Sequence, residues 1–251
     1  MRSLVDDLGW SILCQKNGLI TALIDESGNK LFYELGRHNI EIATIPMPVQ
    51  KITSTLQRCL DQLYEIGNEF DAYPYFQPIL QSKEDLLIIP DERDANWLKL
   101  DGRKALMPLA CISSVQFTIS VAVRDAINIL NRLGSQIYLF LDDFPQDVIW
   151  NKYIHDSWAD YLPNRYGGPL QFSSLDDYCR NLIKHDVVQG EKLVSFADIE
   201  SLDIPLYIRS IWWHFRLKRY DNSLCIEIRP MARRSDDFLS EQLNNVLDIV
   251  G

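Results

Sequence analysis

Three short apolar runs of this chain carry polar side chains of the kinds that bind cations and anions. Glu34 and Glu41 sit in YELGRHNIEIATIP, Gln116 in SSVQFTIS, and Glu227 with Arg229 in CIEIRP. Burying a lone carboxylate costs several kcal/mol, so each must find a cation, a hydrogen-bond donor or solvent. One reading is that they point from the wet face of an antiparallel sheet. The other is a shared site in which carboxylates hold magnesium and arginines neutralise phosphate. The sequence holds no GxxxxGK[ST] loop, GxGxxG, HExxH or GxSxG. Nucleotide chemistry here would therefore run through carboxylates and arginines, without a glycine-rich cradle.

The elements that must position these residues are legible from periodicity. Gly18 to Ile24 and Lys30 to Tyr33 flank a Glu-Ser-Gly-Asn turn and read as a hairpin. Asn39 to Ile45 fits a strand, stopped by Pro46 and Pro48. Ile52, Leu56, Leu60, Leu63 and Ile66 recur every three or four residues, predicting an amphipathic helix from Val49 to Gly67. Pro74 to Asp101 is irregular and reads as a long surface excursion. Ser113 to Val121 alternates Val115, Phe117, Ile119 and Val121 against Ser114, Gln116, Thr118 and Ser120, a half-buried strand with Gln116 on its polar face. Helical spacing follows through Ala126, Ile129, Leu130 and Leu133, and further helices are expected around Trp150 to Tyr161, Leu175 to Ile183 and Asp237 to Leu247. Ser223 to Arg229 reads as a strand with Glu227 and Arg229 opposite Ile226 and Ile228. The fold class is α+β: an antiparallel or mixed β-sheet with helices packed on one face, in one domain over residues 1–251.

Composition narrows the partners. Net charge is −10, and the dense basic stretches are Arg216 to Arg219 and Arg229 to Arg234. Nucleic acid and anionic membranes are poor candidates, while a local basic pocket for a small anion remains open. No apolar run approaches the ~20 residues needed to cross a bilayer, and the N-terminus lacks a signal-peptide stretch, so a cytoplasmic location is expected. The five cysteines stand singly, four of them among apolar neighbours, and read as buried reduced thiols. Trp212 and Trp213 are adjacent, so one is expected in the core. His38 and His155 read as satisfied or solvent-facing.

At this point the residues resemble a family. YELGRHNIEIATIPMP followed by a long amphipathic helix is similar to the strand-and-helix unit of the glutamate–cysteine ligases, in which an acidic residue and a Glu seven positions later bind magnesium; Glu34 and Glu41 have that spacing. ACISSVQFTISVAVRDAINILNRL resembles the family strand bearing a Gln or His, matched by Gln116. DSWADYLPNRYGGPLQF resembles the stretch ending in an Arg, one residue and a Gly, matched by Arg165 and Gly167. SIWWHFRLKRY and LCIEIRP resemble the closing Arg and Glu-x-Arg elements, matched by Arg216, Glu227 and Arg229. The plant-type and short carboxylate–amine branches of this glutamine-synthetase-like fold are closest. The resemblance runs from about Gly18 to Arg234. It departs in lacking the family's opening Glu-x-Glu strand, and the chain stops soon after Arg234, where relatives continue.

The resemblance implies an ATP-dependent carboxylate–amine ligase using ATP and Mg2+. It would phosphorylate the γ-carboxylate of glutamate and pass the acyl group to cysteine or another amine. It implies Glu34, Glu41, Gln116 and Glu227 as magnesium ligands, Arg216 and Arg229 as the groups neutralising phosphate charge, and Arg165 near nucleotide or substrate carboxylate. Two other readings stay open: a non-catalytic homologue, degenerate or truncated, that binds nucleotide or amino acid for a partner, and an unrelated α+β binding or scaffold protein. A compact cluster of Glu34, Glu41, Gln116 and Glu227 would separate the ligase and the non-catalytic homologue from the unrelated protein, and a further acidic pair completing it would separate the ligase from the non-catalytic homologue.

Overall fold

The computed structural model describes residues 1–88, 92–156, 165–189, 192–200, 204–209 and 211–251. In chain order its first half contains α1 (Arg2–Asp6), β1 (Ser11–Lys16), β2 (Leu19–Ile24), β3 (Lys30–Tyr33), β4 (Ile40–Ala43), α2 (Val49–Glu69), α3 (Glu92–Asp101), α4 (Arg103–Leu106) and β5 (Ser114–Ser120). The middle contains α5 (Ala126–Ser135), α6 (Tyr138–Leu141), α7 (Gln146–Asp156), β6 (Tyr166–Gly167), α8 (Leu175–Leu182), β7 (Val187–Gln189) and β8 (Lys192–Val194). The last part contains α9 (Ile204–Arg209), β9 (Trp212–Trp213), β10 (Phe215–Tyr220), β11 (Ser223–Ala232) and α10 (Phe238–Val250).

The expected α+β class with antiparallel sheets is present, but the strands form two principal sheets. The first is the meander β1-β2-β3-β4. Its β1–β2 turn is Asn17-Gly18, both residues at positive φ, as a two-residue hairpin turn requires. Helix α2 starts directly after Pro48 and covers this sheet. Its Cys59 and Ile66 join Leu23, Leu31, Trp10 and Leu4 in one apolar cluster. The helix continues two residues beyond Gly67, whose role is close approach: a Cβ there would lie 2.7 Å from the Ala72 carbonyl oxygen.

The second sheet, ordered β10-β11-β5, is antiparallel throughout. Its apolar face carries Phe117, Phe215, Ile226 and Ile228 against Ile129, Leu130 and Leu133 of α5, Phe140 of α6 and Leu243, Val246 and Ile249 of α10. Each such fully buried aliphatic side chain contributes ~1.5–3 kcal/mol of transfer free energy. Helices thus pack on one face of this sheet, as expected, and its other face is polar. Two links join the elements around the sheets: Asn39 Nδ2, next to β4, donates to the Ile112 carbonyl before β5 at 2.8 Å, and Tyr64 of α2 donates to Asp236 after β11 at 2.8 Å.

Three expectations change. The Pro74–Asp101 excursion ends in helix α3, which buries Trp97. Helix α7 begins earlier than Trp150 and is described to Asp156; its expected extension to Tyr161 lies outside the described residues, as does the side chain of His155. All five cysteines are free, but two are buried, Cys59 and Cys225, and Cys14 and Cys179 are exposed. Among the described residues no helix is long and apolar enough to cross a membrane.

Trp213 is fully buried beside the rings of Phe172, Tyr178 and His185. Gly168, at φ +76°, backs onto it, and a Cβ there would lie 2.3 Å from Trp213 Cγ. Gly168→Ala therefore combines left-handed backbone strain with a clash in a rigid wall. It is expected to cost at least ~1–3 kcal/mol in urea-induced unfolding, and an unchanged midpoint would refute this packing.

Candidate active-site cleft

The polar face of the second sheet and the hairpin β3–β4 line one open cleft of about 2160 Å³. Strand register sets the rows on its floor. Arg216, Glu227 and Thr118 lie side by side, and the next row is Lys218, Cys225 and Ser120. Beyond Ile228 the ladder slips: Arg229 and Pro230 together stand opposite the single residue Gln116, before Met231 pairs with Val115. Proline has no N–H for the ladder, so the chain accommodates Pro230 in a bulge. The bulge brings Arg229 onto Gln116, whose Oε1 accepts from Arg229 NH1 at 3.3 Å.

Glu227 is the centre of the floor. It is buried, and three cations share its two oxygens. Arg216 Nε and Arg229 NH1 donate to Oε2, the latter at 2.9 Å, and Lys218 Nζ donates to Oε1 at 3.1 Å. Burial alone would raise the carboxyl pKa, but the fields of Arg229, Arg216 and Lys218 prevail and hold it far below the usual carboxylate range. Arg216 is pulled the other way, chiefly by burial and by Arg229, against the attraction of Glu227. Three cations on one carboxylate leave two positive charges in excess, so the floor favours an anion.

The three cations are not equivalent. Arg216 NH1 is committed to the carbonyls of Ile208 and Ile211 at 2.6 and 2.7 Å, and the side chain is buried. It anchors α9 and β9 to the sheet. Arg229 and Lys218 are more open, with side chains 19% and 36% exposed, and can turn donors toward a ligand.

A second polar group adjoins Arg229. His214 accepts the Arg229 N–H at its carbonyl (3.0 Å), and its Nε2 lies 3.5 Å from Asp147 Oδ1. Tyr166 donates its hydroxyl to the same oxygen at 2.6 Å. Burial lowers the His214 pKa to about 4, with Arg229 adding to the fall and Asp147 opposing it. The Tyr166 hydroxyl is raised by burial and by its bond to Asp147.

The expected site residues are only partly assembled. Gln116, Glu227 and Arg229 are in contact at the floor. Glu34 and Glu41 stand with the other sheet, so the compact cluster of Glu34, Glu41, Gln116 and Glu227 is not formed, although both glutamates line the same cleft. Glu34 N–H donates to the Asn39 carbonyl and Glu41 pairs with Phe32, so the seven-residue spacing places both carboxylates on one face of the hairpin. Glu227, expected as a magnesium ligand, has both oxygens engaged by cations and serves as their counter-ion. Gln116, expected on the metal, orients Arg229. Arg216, expected on phosphate, is mostly committed to backbone carbonyls. Arg165 is not among the residues lining the cleft: it is fully buried, donates to the Asp186 carbonyl and lies 5.1 Å over the Trp97 ring. Among the described residues no three His, Cys, Asp or Glu side chains converge to hold a metal ion. Lys218, His214 and Tyr166 were not singled out from sequence; the alternation of Arg216 and Lys218 along RLKRY was the available signal for the first.

No family model, no curated protein and no solved structure matches the chain.

Two measurements check these electrostatics. Glu227→Gln leaves Arg216 buried without its counter-ion and is expected to cost ~3–5 kcal/mol of stability in chemical unfolding. His214 has a folded pKa below its unfolded value of about 6.5, so the unfolded state binds the extra proton first. Stability is then present above pH ~6.5 and is lost as pH falls toward the folded value of about 4. His214→Gln should flatten that slope in Tm against pH; an unchanged slope would place the acid sensitivity elsewhere.

Proposed function

We propose that the chain is an ATP-dependent carboxylate–amine ligase resembling the glutamate–cysteine ligases. It phosphorylates the γ-carboxylate of glutamate and transfers the acyl group to an amine. The observation that carries this reading is the contact of Gln116, Glu227 and Arg229 on the floor of a cleft whose other side carries Glu34 and Glu41. A carboxylate is a poor electrophile, and phosphorylation gives it a leaving group. The protein's share is positioning and charge neutralisation.

Arg229, fixed by Glu227 and Gln116, and Lys218 beside it hold the transferred phosphoryl group, with Arg216 fixing Glu227 from behind. Glu34 and Glu41 offer hard oxygen ligands on one hairpin face, which suits magnesium bound through one or two carboxylates and substrate phosphates. Magnesium supplies charge neutralisation at those phosphates. Glu227 does not fit as a ligand, because its cations would repel the metal.

A second reading is a non-catalytic homologue that binds nucleotide or amino acid for a partner. It is favoured by the absence, among the described residues, of a convergent three-ligand metal group.

Purified protein incubated with ATP, magnesium, glutamate and a panel of amines tests both. The ligase reading expects phosphate release that needs glutamate and an amine together and falls at least ~100-fold in Arg229→Met. Binding of ATP–magnesium or of glutamate without release would support the second reading, and binding of neither would sink both.

A further inference from the structure

We infer that an aromatic wall formed by Trp150, Tyr166 and Trp212 at one end of the cleft seats the ring of an aromatic amine, the acceptor of the proposed reaction. The wall is an observation in its own right; the word acceptor rests on the ligase reading. Trp150 stacks on Tyr166 at 5.4 Å between centroids and 10° between planes, and Trp212 tilts against Trp150 at 5.0 Å and 42°. All three rings line the cleft and are half-buried. Neighbouring Trp213, by contrast, is completely covered. Trp97 and Tyr153 are buried against Trp212 and line the same cavity, so the three half-buried rings belong to one packed aromatic cluster.

Two features connect this wall to the site and define its ligand. The first is continuity. The Tyr166 ring meets the His214 ring edge-on at 5.0 Å, and His214 is tied through its carbonyl to Arg229. A ring on the wall therefore lies next to the floor that holds the anion. The second is charge. The two phenols of the wall and its backing donate to carboxylates, Tyr166 to Asp147 and Tyr153 to Asp101, each at 2.6 Å. Carboxylate-bound phenols and the negative faces of indole rings attract a positively charged group. The adjoining floor has the opposite bias, with its excess of cations. A polyanionic nucleotide suits the floor, and a ring bearing an ammonium group suits the wall. Cysteine has no ring to use it.

Calorimetric titration of the full chain with phenethylamine and with n-butylamine tests the wall without turnover. Phenethylamine is expected to bind about tenfold more tightly. The preference should vanish in Trp150→Ala and survive in Trp150→Phe and in Tyr138→Ala, a surface change away from the cleft. Equal affinity of the wild type for the two amines overturns the proposal, and so does competition by AMP, which would assign the wall to a nucleobase. If Trp150→Ala fails to fold, wild-type tryptophan fluorescence decides: perturbation by phenethylamine and not by n-butylamine supports the wall, and no perturbation sinks it. Ring preference without amide formation keeps the wall and removes the ligase reading. Ligation of cysteine without ring preference does the reverse.

Discussion

The cleft depends on one carboxylate that is never alone. Glu227 stands in the middle strand of a three-stranded sheet, between a core of Ile226 and Ile228 on one side and solvent-filled space on the other. A charge in that position is tolerable only because Arg216, Lys218 and Arg229 reach it from its own strand and the next. The same contacts have structural consequences. Arg216 extends from the carboxylate to the carbonyls of Ile208 and Ile211, so α9 and the start of β9 are fixed to the sheet through this ion cluster. The cationic floor of the cleft and a structural joint are one set of atoms.

The two sheets contribute different chemistry. The β10-β11-β5 face is rich in cations and is covered on its back by α5, α6 and α10. The β3–β4 hairpin brings acidic side chains, backed by α2. Hydrogen bonds from Asn39 and Tyr64 tie the first sheet and its helix to the second. The hairpin face is of mixed sign, because Lys30 shares it with Glu41, so the charge of the cleft is set mainly by the second sheet.

Much of this was legible in the sequence, and what was not has physical causes. The alternation through Val115, Phe117 and Ile119 and the three-four spacing from Ile52 to Ile66 announced β5 and α2, because each element has one apolar face and one wet one. Strand β1 was not read, although Asn17-Gly18 is a strong hairpin signal, because SILCQK is mostly exposed and lacks a buried alternation. The roles of the arginines depended on register. Which of Arg216, Lys218 and Arg219 face Glu227 follows from pairing in β10–β11, not from the basic run itself. The resemblance implied Arg165 near nucleotide or substrate carboxylate, yet tertiary packing turns it inward over Trp97. The aromatic wall was invisible for the same reason: Trp150, Tyr166 and Trp212 come from three separate elements.

The bulge at Arg229 and Pro230 also changes the arithmetic of β11. A regular strand offers the cleft every second residue, with core positions at Ile226 and Ile228. After two residues stand opposite Gln116, the core position is Met231, so the even–odd phase has inverted. β11 therefore carries one extra residue at Arg229–Pro230, across which its core positions change from even to odd numbers. Removing Pro230 would let a regular ladder re-form, with Ile228 opposite Phe117 and Met231 opposite Val115 as now, because both already pair with core-side positions of β5. The strand can thus shed one residue at the bulge and keep its faces, whereas a residue lost between Ser223 and Ile228 would exchange core and cleft positions on one side of the loss.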